Sequence, residues 1–157
     1  MRIYQLAYND SLLWAATTFG LYSIDPGSGS IKFHTTRAAV SDYNLTAVAV
    51  VDDVVWMGGS YGVLYWDLSN DEWRSFPGLN FNAEIRDIAQ TRNTIWFATN
   101  RGLLKYDRKR DYWRLFTQAD GLISDNVFHV DPEGRDLWIS TDKGITTFRW
   151  YRKSRLD

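Results

Sequence analysis

The chain of 157 residues contains no cysteine. That excludes disulfides, thiolate metal centres and cysteine nucleophiles, and it leaves the compartment open. Histidine is nearly as scarce, with only His34 and His129. Neither belongs to an HExxH motif or another metal-spaced cluster, so no metal ligand and no cofactor is expected. Charge of one sign is lacking too: 18 Lys and Arg face 19 Asp and Glu, for a net charge of −1. No global field therefore favours nucleic acid or an anionic membrane surface. No apolar run approaches the roughly 18 residues of a membrane-spanning helix. The opening Met1-Arg2-Ile3-Tyr4-Gln5-Leu6 reads as a strand rather than a signal peptide, which implies either an intracellular protein or an excised mature segment.

What the chain does have is aromatic residues, 16% of the total and including eight tryptophans, within a 45% apolar composition that excludes a disordered chain. Four of the tryptophans open the same short phrase. The phrases are Leu13-Trp14-Ala15-Ala16-Thr17-Thr18-Phe19-Gly20-Leu21, Val55-Trp56-Met57-Gly58-Gly59-Ser60-Tyr61-Gly62-Val63, Ile95-Trp96-Phe97-Ala98-Thr99-Asn100-Arg101-Gly102-Leu103 and Leu137-Trp138-Ile139-Ser140-Thr141-Asp142-Lys143-Gly144-Ile145. They recur at intervals of 42, 40 and 42 residues. Short strand-like runs repeated at that period, between turn residues, predict β-propeller blades. Strand periodicity assigns these tryptophans to packing between blades rather than to a carbohydrate platform.

Alternating runs precede each tryptophan, at Ile3–Ala7, Leu45–Ala49, Ile85–Ala89 and Val127–Val130. Polar hairpin turns are expected at Asn9-Asp10, Asp52-Asp53, Arg92-Asn93 and Pro132-Glu133-Gly134-Arg135. Gly20, Gly62, Gly102 and Gly144 each close the tryptophan strand, where a tight turn calls for positive φ. The third strand ends on Asp25, Asp67 or Asp107 in three repeats, residues able to accept backbone hydrogen bonds in the next turn, but on Arg149 in the fourth. Fourth strands follow at 31–34, 73–76 and 113–116.

The fold expected is therefore all-β: one propeller domain over residues 1–157, with blades at about 1–36, 43–77, 83–117 and 125–157, the last lacking its outermost strand. Propellers run from roughly four to eight blades, so a closed four-blade ring and a partial ring both remain open. In a partial ring the end faces would be sticky, since a buried Trp covers about 200 Å² and is worth about 5 kcal/mol. Self-association, for instance two copies closing an eight-bladed ring, or packing on neighbouring blades is the corresponding expectation.

The third and fourth phrases resemble the LWIGTxxGL core of two-component regulator propeller repeats. The run Phe116-Thr117-Gln118-Ala119-Asp120-Gly121-Leu122-Ile123-Ser124-Asp125-Asn126-Val127 is similar to the YTxxDGLxSNxV linker of that family. The resemblance covers essentially the whole chain, closely in the last two repeats. It implies a bacterial sensor domain for signal transduction, periplasmic or extracellular, often recognising oligosaccharides. The chain departs from the family's fuller architecture in its few blades and in having no Ig-like segment, membrane helix or kinase.

In a propeller the loops joining strands two and three share one rim with the loops between blades. Phe19, Tyr61, Arg101 and Lys143 occupy equivalent turn positions there. Arg37, Tyr43, Asn44, Asn80, Phe81, Asp120, Asp125 and Asn126 are the expected neighbours. Two aromatics and two cations on one scaffold suit a sugar or an acidic ligand: rings stack on sugar faces while Arg and Asn fix orientation. The ligand-binding candidates are thus Phe19, Tyr61, Arg101, Lys143, Tyr43, Asn44 and Asn126, set against the plainer reading of exposed turn residues. No catalytic residue is expected. His129 beside Asp131 reads as strand periphery, Asp52-Asp53 as a solvated turn, and no residue matches those of lyase propellers. Arg108-Lys109-Arg110 reads as a solvated turn on the opposite rim. The basic and aromatic tail 149–155 reads as a makeshift outer strand or a linker. The function expected is a non-catalytic binding or sensor module, the alternative being a protein–protein scaffold.

Overall fold

Turns of two to six residues let successive strands of a repeat pair antiparallel, and each of the four repeats folds as its own meander sheet. The computed structural model describes residues 1–9, 11–34, 44–60, 62–76 and 83–149. The first sheet holds β1 (Ile3–Tyr8), β2 (Leu13–Thr17), β3 (Gly20–Ile24) and β4 (Ile31–His34). The second holds β5 (Leu45–Val51), β6 (Val54–Gly59), β7 (Gly62–Asp67) and β8 (Glu72–Ser75). The third holds β9 (Ile85–Thr91), β10 (Thr94–Thr99), β11 (Gly102–Asp107) and β12 (Tyr112–Phe116). The fourth holds β13 (Val127–Glu133), β14 (Asp136–Thr141) and β15 (Gly144–Phe148). These are β-propeller blades, all-β, with a three-stranded last sheet among the described residues. The tail expected to act as an outer strand lies outside them beyond Arg149.

The turn chemistry follows the repeats. Gly20, Gly62, Gly102 and Gly144 take φ of 110°, 103°, 128° and 124°, where an L side chain is strained. At Gly102 the approach is close as well, since a Cβ would meet the Phe116 carbonyl oxygen at 2.3 Å. The aspartates ending the third strands accept backbone N–H groups two residues on, from Gly27 at 2.8 Å, Ser69 at 2.9 Å and Lys109 at 3.1 Å. The Arg108–Arg110 run is thereby shaped by Asp107, with Lys109 and Arg110 exposed. One turn differs from expectation. Pro132 and Glu133 continue β13, paired with Leu137 and Asp136, and only Gly134-Arg135 makes the reversal. Proline is tolerated because β13 is an edge strand, with one side free of ladder hydrogen bonds.

The strands group into two compact units, Met1–Ile85 and Arg86–Asp157. Within the first, Trp14, Ala16 and Leu21 of one sheet bury against Val48, Val55, Met57 and Leu64 of the next, with Val50, Trp66 and Trp73 alongside. Trp14 meets Trp66 edge-on at 5.9 Å. Within the second, Trp96, Ala98 and Leu103 bury against Val130, Leu137, Ile139 and Phe148. Trp96 meets Phe148 edge-on at 6.1 Å. The two interfaces use equivalent residues, so Trp14 and Trp96 pack between blades as expected, whereas Trp138 of the fourth sheet departs from that expectation and is 43% exposed. A polar tie repeats with them: Gln5 Oε1 accepts Val48 N–H at 3.0 Å, and Asp87 Oδ2 accepts Val130 N–H at 2.9 Å.

Candidate functional site

The turns carrying Phe19, Arg101 and Lys143 share one device. Thr17, Thr99 and Thr141 end their strands, and each hydroxyl donates to the carbonyl of the glycine three residues on, at 2.9, 2.7 and 3.0 Å. The same oxygens accept the backbone N–H of Phe19, Arg101 and Lys143 at 3.1, 3.0 and 3.1 Å. A side chain that satisfies both ends of a tight turn locks it, leaving the residue between to project outward. Phe19, Arg101 and Lys143 are accordingly exposed. The second repeat replaces the threonine with Gly59, where a Cβ would meet the Asn44 carbonyl oxygen at 2.4 Å. Asn44 thus borders that turn and is exposed. The Thr-x-x-Gly spacing stands in three of the four phrases, a signal that sequence reasoning passed over in favour of the glycine.

In the second unit the turn beside Arg101 is continuous with the segment leading to the fourth sheet, because Leu103 pairs with Phe116 and the linker begins at Thr117. The linker is built by its acids. Thr117 and Asp120 form a reciprocal cap on a short 3-10 turn, Gln118–Asp120. Asp120 accepts the Thr117 N–H at 2.9 Å, and this bond first, then Arg114 at 3.4 Å, holds its carboxyl below the ordinary range. Asp125 accepts the Gln118 N–H at 2.7 Å. Both carboxylates are therefore engaged with the backbone.

Asn126 lies at the end of that linker. Its side-chain oxygen accepts Arg86 Nη1 at 2.5 Å, and its carbonyl accepts the Asp142 N–H at 3.3 Å, next to Lys143. The Asp142 carboxyl is held below its usual range by the Ser124 hydroxyl first, with smaller help from Asn126 and Lys143. The Arg86 guanidinium lies over the Phe128 ring, 5.0 Å from its centre. Phe128 falls at an irregularity in the β13–β14 register, between Val127 and His129; Tyr4 and Thr46 stand at the same break in the first two sheets. Such bulges turn a side chain out of the regular alternation.

Of the expected site residues, the second unit thus brings Asn126 and Lys143 to adjoining positions, with Arg101 on the same edge of its sheets. Phe19 and Asn44 belong to the first unit, each at its own turn. Tyr43, Tyr61, Arg37, Asn80 and Phe81 lie outside the described residues. Arg86 and Phe128 join Asn126 without having been singled out, since a register break is not visible as a change of composition. His129 pairs through Nδ1 with Asp87 Oδ2 at 2.5 Å, rather than relying on adjacent Asp131, and its side chain stays exposed. His34 is buried, its Nε2 2.7 Å from Ser23 Oγ, with its ring 5.3 Å from Trp14. Burial first, then Lys32, lowers its pKa to about 4, so it is a neutral packing group. Among the described residues no group of three or more His, Asp or Glu could hold a metal ion. No helix there is long and apolar enough to cross a membrane.

No protein-family model matches the chain, and no curated protein matches it by sequence. Solved structures do resemble it. The extracellular domain of a hybrid two-component system protein from B. thetaiotaomicron is 18% identical with a TM-score of 0.77, over 94% of this chain and 21% of that one. A computationally designed protein, Ika4, is 16% identical with a TM-score of 0.71, over 94% of this chain and 91% of the designed one. YCF48, solved with a D1 peptide, is 19% identical with a TM-score of 0.70, over 92% of this chain and 50% of its own. The chain spans about a fifth of the length of the sensor domain it matches. At these identities the likeness carries the fold.

Proposed function

We propose that this chain is a non-catalytic propeller module of the two-component-regulator type, periplasmic or extracellular, that binds a glycan or another small polar ligand at its loop edge. The observation that carries the reading is the threonine brace. It recurs in three described repeats and holds a different exposed side chain each time, Phe19, Arg101 and Lys143. A rigid turn with an interchangeable projecting residue is how a repeat scaffold varies its ligand while keeping its fold. In the second unit the edge offers cations and amides, with the nearby carboxylates Asp120 and Asp125 bound to backbone N–H groups. Such an edge suits hydroxyl-rich or anionic groups and provides no base poised over a nucleophile. The likeness to an extracellular sensor domain supports the same reading and placement.

The test is a glycan array followed by calorimetric titration of each hit. Replacing Arg101 and Lys143 together by alanine is expected to weaken binding at least tenfold, with the circular dichroism spectrum unchanged. Affinities untouched by that pair, or an array without hits, would overturn the proposal. A scaffold role is the second reading, and one observation favours it: the blade tryptophan of the fourth sheet is 43% exposed, while its three counterparts are buried.

A further inference from the structure

We infer that Lys105 and Arg114 form a binding site for a small oxyanion, a carboxylate or a phosphate, on the face of the third sheet that packs against the fourth. The site lies within the unit Arg86–Asp157, and neither residue belongs to the loop edge proposed for glycans. In each sheet the blade tryptophan begins a row of cross-strand partners on one face. The rows are Trp14, Ser23 and Lys32; Trp56, Tyr65 and Arg74; Trp96, Lys105 and Arg114; and Trp138 with Thr147. The outermost place is cationic in all three four-stranded sheets. The middle place is uncharged in three repeats and cationic only at Lys105. Blade packing therefore does not call for a charge there, and Ser23 fills the same place in the first sheet by bonding to His34.

Lys105 is only 7% exposed, yet among the described residues its ammonium has no hydrogen-bond or ion-pair partner. Its Nζ lies 5.9 Å from the centre of the Trp96 ring. Burial, first, lowers its pKa; Asp107 opposes that shift, and Arg110 and Arg114 add to it. Asp107 is committed to its own turn, where Oδ1 accepts the Lys109 and Arg110 N–H groups at 3.1 Å each. A buried cation is tolerated only where an anion or a set of acceptors meets it.

Arg114 stands beside Lys105 on the edge strand β12, its side chain 27% exposed and its guanidinium 4.5 Å from the centre of the Phe116 ring. Its carboxylate partner among the described residues is Asp120, 3.4 Å from Nη2, and the other oxygen of Asp120 accepts the Thr117 N–H at 2.9 Å. Side chains paired directly across two strands start about 5 Å apart at Cβ. The two cations therefore share one space, walled by Trp96 and Phe116, and repel each other unless an anion lies between them. An oxyanion with two or more oxygens meets both: one oxygen takes the compact ammonium and another the planar guanidinium fork. Arg114 opens the row to solvent at the outer edge of the sheet, which is where the ligand enters.

Titration of the whole chain with sodium phosphate and, separately, with sodium acetate at constant ionic strength tests this, read on the nuclear magnetic resonance signal of the Trp96 indole N–H. A saturable shift at millimolar concentration or below is expected with at least one of the two, and the one that responds tells a phosphate from a carboxylate ligand. Lys105→Met should abolish the shift, and Arg114→Gln should weaken the affinity about tenfold or more, the loss of one charge-assisted bond. Lys105→Met should also raise the urea midpoint in buffer free of both anions, because it removes a buried charge at little change in volume. The anion that binds should narrow that gap. A shift with neither anion, or one that persists in Lys105→Met, would overturn the inference. So would a lower urea midpoint for Lys105→Met, since the ammonium would then already have its partner within the chain. Neither substitution touches Arg101 or Lys143, so this site and the glycan proposal fall separately.

Discussion

Replacing the blade tryptophan by alanine should cost very different amounts in the third and fourth sheets, although the two phrases read alike. Trp96 is 1% exposed, packs on Phe116 and Phe148 at 6.1 Å each, and donates from Nε1 to Thr91 Oγ1 at 2.8 Å. A fully buried indole removes about 200 Å² from water, about 5 kcal/mol at 25 cal/mol per Å². Alanine recovers part of that area, while the cavity and the orphaned Thr91 hydroxyl add to the loss. The expected cost of Trp96→Ala is about 4 kcal/mol. Trp138 is 43% exposed and donates to Glu133 at 3.0 Å in an exposed position. Little over half its surface is buried and no closed cavity forms, so Trp138→Ala should cost about 1–2 kcal/mol. Both residues lie in the unit Arg86–Asp157, so urea unfolding followed by far-ultraviolet circular dichroism reads both on one transition. The protein must be dilute enough to be one chain per particle. Equal costs, or a larger cost at Trp138, would refute the assignment of Trp96 to the blade interface.

Two further outcomes follow from single side chains. His34 is neutral in the fold down to about pH 4, against 6.5 for the free side chain. The unfolded chain therefore binds the extra proton first, and stability should fall as pH drops from 6.5 to about 4, by about 3 kcal/mol in all. His34→Gln should remove that part of the pH dependence of the urea midpoint; an unchanged slope would show that the imidazole is not held neutral. Gly102→Ala should cost about 3 kcal/mol or more, because φ is 128° and the new Cβ would strike the Phe116 carbonyl. Gly121→Ala, with φ of 103° and open space around it, should cost only about 1 kcal/mol, and equal midpoints would contradict the close approach.

The blade plan was legible because its determinants are local and repeat. Trp14, Trp56, Trp96 and Trp138 mark second strands, and Gly20, Gly62, Gly102 and Gly144 mark positive φ at one place in each. Asp25, Asp67 and Asp107 announce the turns they then bond. The candidate site was less legible. Arg101 and Lys143 were placed correctly in exposed turns, yet the threonines that hold them were missed, because a hydroxyl bonding its own turn leaves no mark on hydrophobic periodicity. Asp120 and Asp125 look like ligand groups in the sequence, but their bonds to Thr117 and Gln118 depend on how the linker folds back. Asp87 reaches His129 and Val130 across 42 and 43 residues, and no alternation pattern predicts which sheet faces which. Pro132 misled for the opposite reason: proline usually ends a strand, and only the edge position of β13 excuses it.

Hydrogen–deuterium exchange of the dilute chain, read by mass spectrometry, tests the central claim most directly, namely that each tryptophan-led repeat is one separate antiparallel sheet. In that arrangement β2, β3, β6, β7, β10, β11 and β14 each have a hydrogen-bonded strand on both sides. The account predicts four blocks of highest protection, at 13–24, 54–67, 94–107 and 136–141, with the outer strands and the connections between sheets exchanging faster. Protection that fails to peak at these four segments, or that is continuous across 117–126, would contradict it.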